Sequence, residues 1–184
     1  MEPRIWHRSY DGGVPPDIEF EDIPLPRVLE RSARAHGDAP AVIFLNCRLT
    51  YRQLKEEVDR FATALAGLGV TRDTRVAIQL PNLPQVVIAY YATLSLGAQA
   101  VMTNPLYVER EITHQWNDAG CAVAVVADFV FEGRIRGIRH ELPVKHYIIA
   151  SIPEYLRFPL NLLAPIKLRK TRPPSIAKVE PDEG

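Results

Sequence analysis

From Val76 to Val108 the chain carries no charged residue, and this run restricts the available folds more than any other feature. Such a stretch has to leave water, inside either a lipid bilayer or a protein core. Pro81, Asn82, Pro84, Gly97 and the Asn104-Pro105 pair cut it into short pieces. The longest helical piece, about residues 84–96, spans roughly 20 Å at the α-helical rise, short of the roughly 30 Å of a bilayer core. Short apolar strands around a buried helix suit the pieces better. Strands covered on both faces by helices lose the alternation of polar and apolar positions in this way.

The flanking segments supply the covers. Residues 26–36 set Val28, Leu29, Ala33 and Ala35 among charges and stop at Gly37, which predicts a short amphipathic helix. Residues 41–46 and 48–50 predict a pair of strands turning around Asn46-Cys47. Thr50 followed by Gln53 is a capping box, in which each side chain satisfies a free backbone N–H at a helix start. Leu54, Val58, Phe61, Leu65 and Leu68 then repeat at four and three, opposite Lys55, Glu56, Glu57, Asp59 and Arg60. Strands are predicted at 75–80, 98–103, 122–128 and 146–150, and helices at 84–97 and 109–120, the latter with Ile112, Trp116 and Ala119 on one side. Strand–helix alternation with short loops implies right-handed crossovers. The fold class is α/β, a parallel sheet flanked by helices.

Three segments follow. Residues 1–24 are expected to form an extended leader, without the apolar core of a secretory signal. Residues 25–150 form the α/β unit. Residues 151–184 form a proline-rich insertion or linker, basic and free of acidic residues from Arg157 to Lys178, whose prolines deny it a long amphipathic helix.

Several chemistries are excluded. Twenty-two basic residues balance twenty-two acidic ones, so no global field favours nucleic acid or a membrane. No G-x-x-x-x-G-K-[ST], G-x-G-x-x-G, G-x-S-x-G or His-Glu-x-x-His motif occurs. Cys47 and Cys121 lie in apolar surroundings and read as small buried hydrophobes of a reduced, intracellular chain. His114 and Asp118 sit four apart on one predicted helix but have no second pair of ligands nearby, so a solvated face is expected. Asp128 ends an apolar strand, where a helix-cap or turn role outweighs a ribose or metal contact. His140 and His146 are expected at the surface. The segment NLLAPIKLRK joins apolar residues to Lys167, Arg169 and Lys170, a pairing suited to anionic lipid headgroups or to a solvated linker.

The ordered set LTYRQL (49–54), RVAIQLPNLPQVVIAYYATLSLGAQAVMTNPLY (75–107) and HQWNDAGCAVAVVAD (114–128) resembles the N-terminal part of AMP-forming acyl-CoA synthetases, members of the adenylate-forming superfamily. The resemblance covers about residues 25–150, and NPLY with HQWNDAG points to the long- and medium-chain fatty acid branch. It implies a Rossmann-like portion of a larger N-terminal domain, and a parent ligase acting on a fatty acid with ATP, Mg²⁺ and coenzyme A. In that family the phosphate loop, the acidic residue near Mg²⁺ and the lid lysine follow the region present here, and the chain ends at VEPDEG. The resemblance therefore implies no catalytic residue and no metal ligand within these 184 residues, no tightly held cofactor, and no activity of the chain alone. It nominates Asn104, Pro105, Leu106, Arg134 and Arg136 as contacts of the nucleotide end of coenzyme A, although related ligases carry a glycine-rich loop where this chain has Asn-Pro-Leu.

The alternatives are an aryl-CoA or fatty acyl-AMP ligase parent, and a non-catalytic module that pairs as a homodimer or docks on a membrane through residues 156–172. A cytoplasmic protein is expected, or one held peripherally at the inner membrane face.

Overall fold

A computed structural model describes residues 4–171 and 175–180. Helix α1 (Leu25–Ala35) leads into a hairpin of β1 (Pro40–Phe44) and β2 (Cys47–Thr50), followed by α2 (Tyr51–Gly67). The hairpin turns at Leu45-Asn46, one residue earlier than the sequence suggests, and Leu45 takes a positive φ of 51°. The capping box forms as expected. The Gln53 N–H donates to Thr50 Oγ1 at 3.2 Å, and the Thr50 N–H donates to Gln53 Oε1 at 3.0 Å. Leu54, Val58 and Leu65 of the stripe are buried, whereas Leu68, just past the helix end, is exposed.

The uncharged run builds β3 (Arg75–Gln79), α3 (Pro84–Ser95) and β4 (Gln99–Met102). Helix α4 (Glu109–Ala119), β5 (Val123–Ala127) and β6 (His146–Ala150) follow. The four strands β3–β6 form one parallel sheet in the order β4-β3-β5-β6. All five residues of β5 are buried, which is why that strand reads as an apolar run. The chain leaves β3 toward one edge and crosses back past it to reach β5. Right-handed crossovers then put α3 and α4 on opposite faces. Helices α1, α2 and α3 pack together on one face. Trp116 and Ile112 of α4 are fully buried, and burying one such side chain stabilises the fold by about 1.5–3 kcal/mol.

Two segments differ from the sequence expectation. Between β5 and β6, where no helix is evident from sequence, the chain runs through α5 (Asp128–Val130), a π-helical turn (Phe131–Ile135), α6 (Arg136–Ile138) and a 3-10 turn (Arg139–Glu141). Phe131, Ile135 and Ile138 recur at helical spacing and are buried. Gly133 and Gly137 lower the helix propensity of the segment, and packing overrides that preference. The second difference is α7 (Leu160–Arg169), which forms despite Pro165 inside it. Proline removes its own bond to the Asn161 carbonyl and its ring crowds that carbonyl; Asn161 is exposed, so water can take the place of the lost bond. The prolines shorten this helix and do not abolish it. Arg172 of the basic stretch lies outside the described residues. Among the described residues, no helix is long and apolar enough to cross a membrane.

Candidate functional site

Open parallel sheets bind ligands beyond the carboxyl ends of their strands, where neighbouring strands send their connections in opposite directions. Here that point lies between β3 and β5, since β3 continues outward to β4 and β5 continues to β6 on the other side. Gln79, the last residue of β3, is fully buried and donates from Nε2 to the Asn104 carbonyl at 3.1 Å. Its Oε1 is buried without a hydrogen-bond partner among the described residues.

The loop after β4 is tied at every step. The Thr103 N–H donates to the Ile78 carbonyl at 2.9 Å, extending the sheet by one bond. Its Oγ1 accepts a hydrogen bond of 2.9 Å from the indole of Trp116, so α4 grips the loop from one side. Asn104 Oδ1 accepts from the Leu106 N–H at 2.9 Å, and the Tyr107 N–H returns to the Asn104 carbonyl at 3.1 Å. This is an Asx-type turn, for which an asparagine side chain substitutes well for backbone. Arg134, from the π-helical turn, reaches across and donates from Nη1 to the carbonyls of Pro105 at 2.9 Å and Tyr107 at 2.6 Å. Leu106 stands exposed at the tip.

Of the five residues nominated from sequence, Asn104, Pro105, Leu106 and Arg134 come together as one rim. Arg136 lies on the following helical turn, where Nε and Nη2 reach the two carboxylate oxygens of Glu132 at 2.8 and 2.5 Å. Its guanidinium lies 5.1 Å from the centre of the Phe131 ring.

Asp128 opens the helical segment after β5 and is buried. One carboxylate oxygen accepts from the Phe129 N–H and the other from Ser151 Oγ, both at 2.7 Å. Asp128 thus joins the ends of β5 and β6, in keeping with a turn role. His114 and Asp118 are exposed on α4, and His140 and His146 are exposed. Among the described residues, no group of three His, Cys, Asp or Glu side chains is placed to hold a metal. Cys47 and Cys121 are free and buried. Burial pushes the Cys121 thiol up to about 11 against the opposing pull of Arg75, so it is a poor nucleophile at neutral pH.

A hollow of about 310 Å³ lies between α2, α3 and the β5–β6 side of the sheet, walled by Phe61, Ile88, Val125 and Ile148. At its mouth Gln85 Nε2 donates to the Ser151 carbonyl and to Glu154 Oε2, each at 3.0 Å. Tyr155 stands beside them. Burial first, and the hydrogen-bonded Glu57 carboxylate next, push its phenol up to about 12.

Sequence reading does not single out Gln79, Gln85 or Ser151. A signal was present for Gln79, the one polar side chain in the apolar run that ends β3. Ser151 and Gln85 carry none, since their partners are set by where β6 ends.

Comparison with known proteins adds a frame. A sequence model described as AMP-binding enzyme matches residues 29–176. The long-chain-fatty-acid–CoA ligase of Bacillus subtilis (strain 168) is 34% identical over 161 residues, which is 88% of this chain and 29% of that protein. Among solved structures, the N-terminal domain of FACL13 from Mycobacterium tuberculosis is similar with a TM-score of 0.66 and 25% identity, covering 70% of this chain and 34% of that one. The anthranilate CoA ligase AuaEII, solved with anthranoyl-AMP, has a TM-score of 0.66 and 27% identity, covering 80% of this chain and 29% of that one. The chain thus spans less than a third of the length of the Bacillus ligase.

Proposed function

This chain belongs to the AMP-binding enzyme family, and from that premise we propose that it forms the N-terminal portion of a fatty acid–CoA ligase. The observation that carries the reading is the match to the Bacillus subtilis ligase across 88% of this chain. In the proposed parent reaction, a carboxylate oxygen attacks the α-phosphorus of Mg-ATP and pyrophosphate leaves. The thiol of coenzyme A then attacks the acyl carbon and AMP leaves. The likeness to an anthranilate CoA ligase at 27% identity keeps an aryl acid as the second reading of the substrate. A cytoplasmic location belongs to the same proposal.

Within the parent, the rim of Asn104, Pro105, Leu106 and Arg134 lines the nucleotide end of coenzyme A, with Arg136 one turn on and paired with Glu132. Arg134 Nη1 is occupied by the two loop carbonyls, so Nε and Nη2 are the donors it offers a phosphate. The 184-residue chain alone carries out neither step. Incubation with ATP, Mg²⁺ and palmitate should release no pyrophosphate above background, and release would overturn this part. Calorimetric titration with coenzyme A tests the rim. Weak binding that Arg134→Met reduces at least tenfold supports it, and an unchanged isotherm removes it.

A further inference from the structure

The hollow beside α2 and α3 has no part in the chemistry proposed above. Its floor is the pair Val125 and Ile148, which stand opposite each other on β5 and β6. Phe61 from α2 and Ile88 from α3 wall it. Phe61 belongs to the apolar stripe of α2, whose members Val58 and Leu65 are fully buried, yet it is only half-buried. The space beside it is the hollow. Its volume of about 310 Å³ falls at the lower end of the roughly 300–1,000 Å³ of small-molecule sites. Floor, walls and mouth all come from this chain, the mouth from α3 and from the turn Ile152–Tyr155.

The mouth is short of donors and rich in acceptors. The Gln85 amide spends its Nε2 on the Ser151 carbonyl and on Glu154 Oε2. The Tyr155 hydroxyl is spent on Glu57. Gln85 is 9% exposed, and its Oε1 is buried without a hydrogen-bond partner among the described residues. Glu154 takes one neutral donor on each oxygen, from the Ser151 N–H and from Gln85. Among the described residues no cation pairs with it. An ionised carboxylate has about four lone-pair sites, so Glu154 can accept further hydrogen bonds. Arg60, the cation of the lining, has a side chain 71% exposed and paired with Glu57 at 3.1 Å. Two carboxylates against one solvated guanidinium leave the mouth negative. Such a mouth repels a carboxylate and attracts a cation, and an ammonium brings three donors and no acceptor.

We propose that the hollow binds a small organic ammonium ion, its apolar body against Phe61, Ile88, Val125 and Ile148 and its ammonium at Glu154 beside Gln85. The ring of Phe61 favours an aromatic body. The site is independent of the ligase reading, because the acid substrate of that reaction carries the charge this mouth rejects.

The test is a titration of the nitrogen-15-labelled 184-residue chain at neutral pH, followed by amide chemical shifts. Phenethylamine, phenethyl alcohol and phenylacetate share one apolar body and differ in the head. The amine should give saturable shifts at Val125, Ile148 and Gln85. The alcohol should bind about tenfold more weakly, since a hydrogen bond to a charged group exceeds a neutral one by about that factor. Phenylacetate should give no saturable shift. Ala64→Trp, at the exposed lip of the hollow on α2, should fill the space and abolish binding of the amine. Ala66→Trp, exposed on the same helix but off the lining, should leave it unchanged. Glu154→Gln should bring the amine down to the affinity of the alcohol. Absence of saturable shifts with the amine overturns the proposal, as does equal binding of amine and phenylacetate. So does amine binding that Ala64→Trp leaves intact, because the molecule then sits elsewhere.

Discussion

The strand-mouth loop and helix α7 are built on opposite principles. In the loop, the Thr103 N–H and hydroxyl and the carbonyls of Asn104, Pro105 and Tyr107 are answered from β3, α4 or Arg134, and the Asn104 side chain closes the turn on itself. The Leu106 side chain is the most exposed apolar group at the loop's tip. In α7 the backbone is helical apart from the bond that Pro165 removes, while Leu163 and Ile166 face solvent and the basic side chains meet no carboxylate among the described residues. A rim that positions a ligand gains from rigidity fixed beforehand. A surface that gains energy by burial has to leave that burial undone until a partner arrives. The same short length of chain cannot do both.

Substitutions on the loop side should therefore be felt in stability, and those on α7 should not. The largest expected loss is for Trp116→Ala, which opens a cavity beneath the loop and removes the bond to Thr103. It should destabilise by about 3–5 kcal/mol in urea unfolding, and a loss under 1 kcal/mol would remove α4 as the support of the loop. Next is Arg134→Met, which strands two carbonyls that a guanidinium now serves. It should lose about 2 kcal/mol and raise hydrogen exchange at Leu106 and Tyr107. Arg134→Lys should not restore both bonds, since an ammonium lacks the planar fork.

The third prediction concerns the turn on which α7 rests. Tyr155 and Tyr147 are both pushed up to about 12, mainly by burial. The folded chain holds these protons more tightly than the unfolded chain, whose tyrosines ionise near 10. Stability should thus be unaffected by these groups below about pH 10 and fall as pH rises from there to about 12. Tyr155→Phe should make that fall shallower, as read from unfolding midpoints at stepped pH. The smallest effect is expected for Leu163→Ser with Ile166→Ser, within about 0.5 kcal/mol of the parent chain. A larger loss there would mean that α7 is structural, and the contrast with the loop would fail.

Much of the fold is legible in local chemistry. The Thr50–Gln53 capping box and the stripe of α2 follow from spacing alone, because a helix satisfies its own backbone within a few residues; the strands β3 and β5 are visible as apolar runs because both faces of the sheet are covered. The helical segment after β5 was not legible, since Gly133 and Gly137 blur a pattern that only packing of Phe131 and Ile135 restores. The reach of α7 across Pro165 was not legible either, because it depends on an exposed carbonyl that water can serve. At the rim, the Asn104–Leu106 turn is visible as an Asn-Pro corner, and Arg134 was nominated by resemblance. What Arg134 does there was not visible.

Sequence by itself determined that the uncharged run folds into strands and a buried helix of a parallel sheet. It also determined that the chain resembles adenylate-forming enzymes. Both conclusions rest on local periodicity, turn residues and the order of motifs, which need no knowledge of distant neighbours. Tertiary structure alone decided that Gln79, Trp116 and Arg134 converge on one loop, and that α7 turns Leu163 and Ile166 outward while Leu168 is half-buried. Those facts depend on which strands lie side by side, and hydrogen bonds between residues that far apart in the chain exist only once the sheet has brought them within about 3 Å.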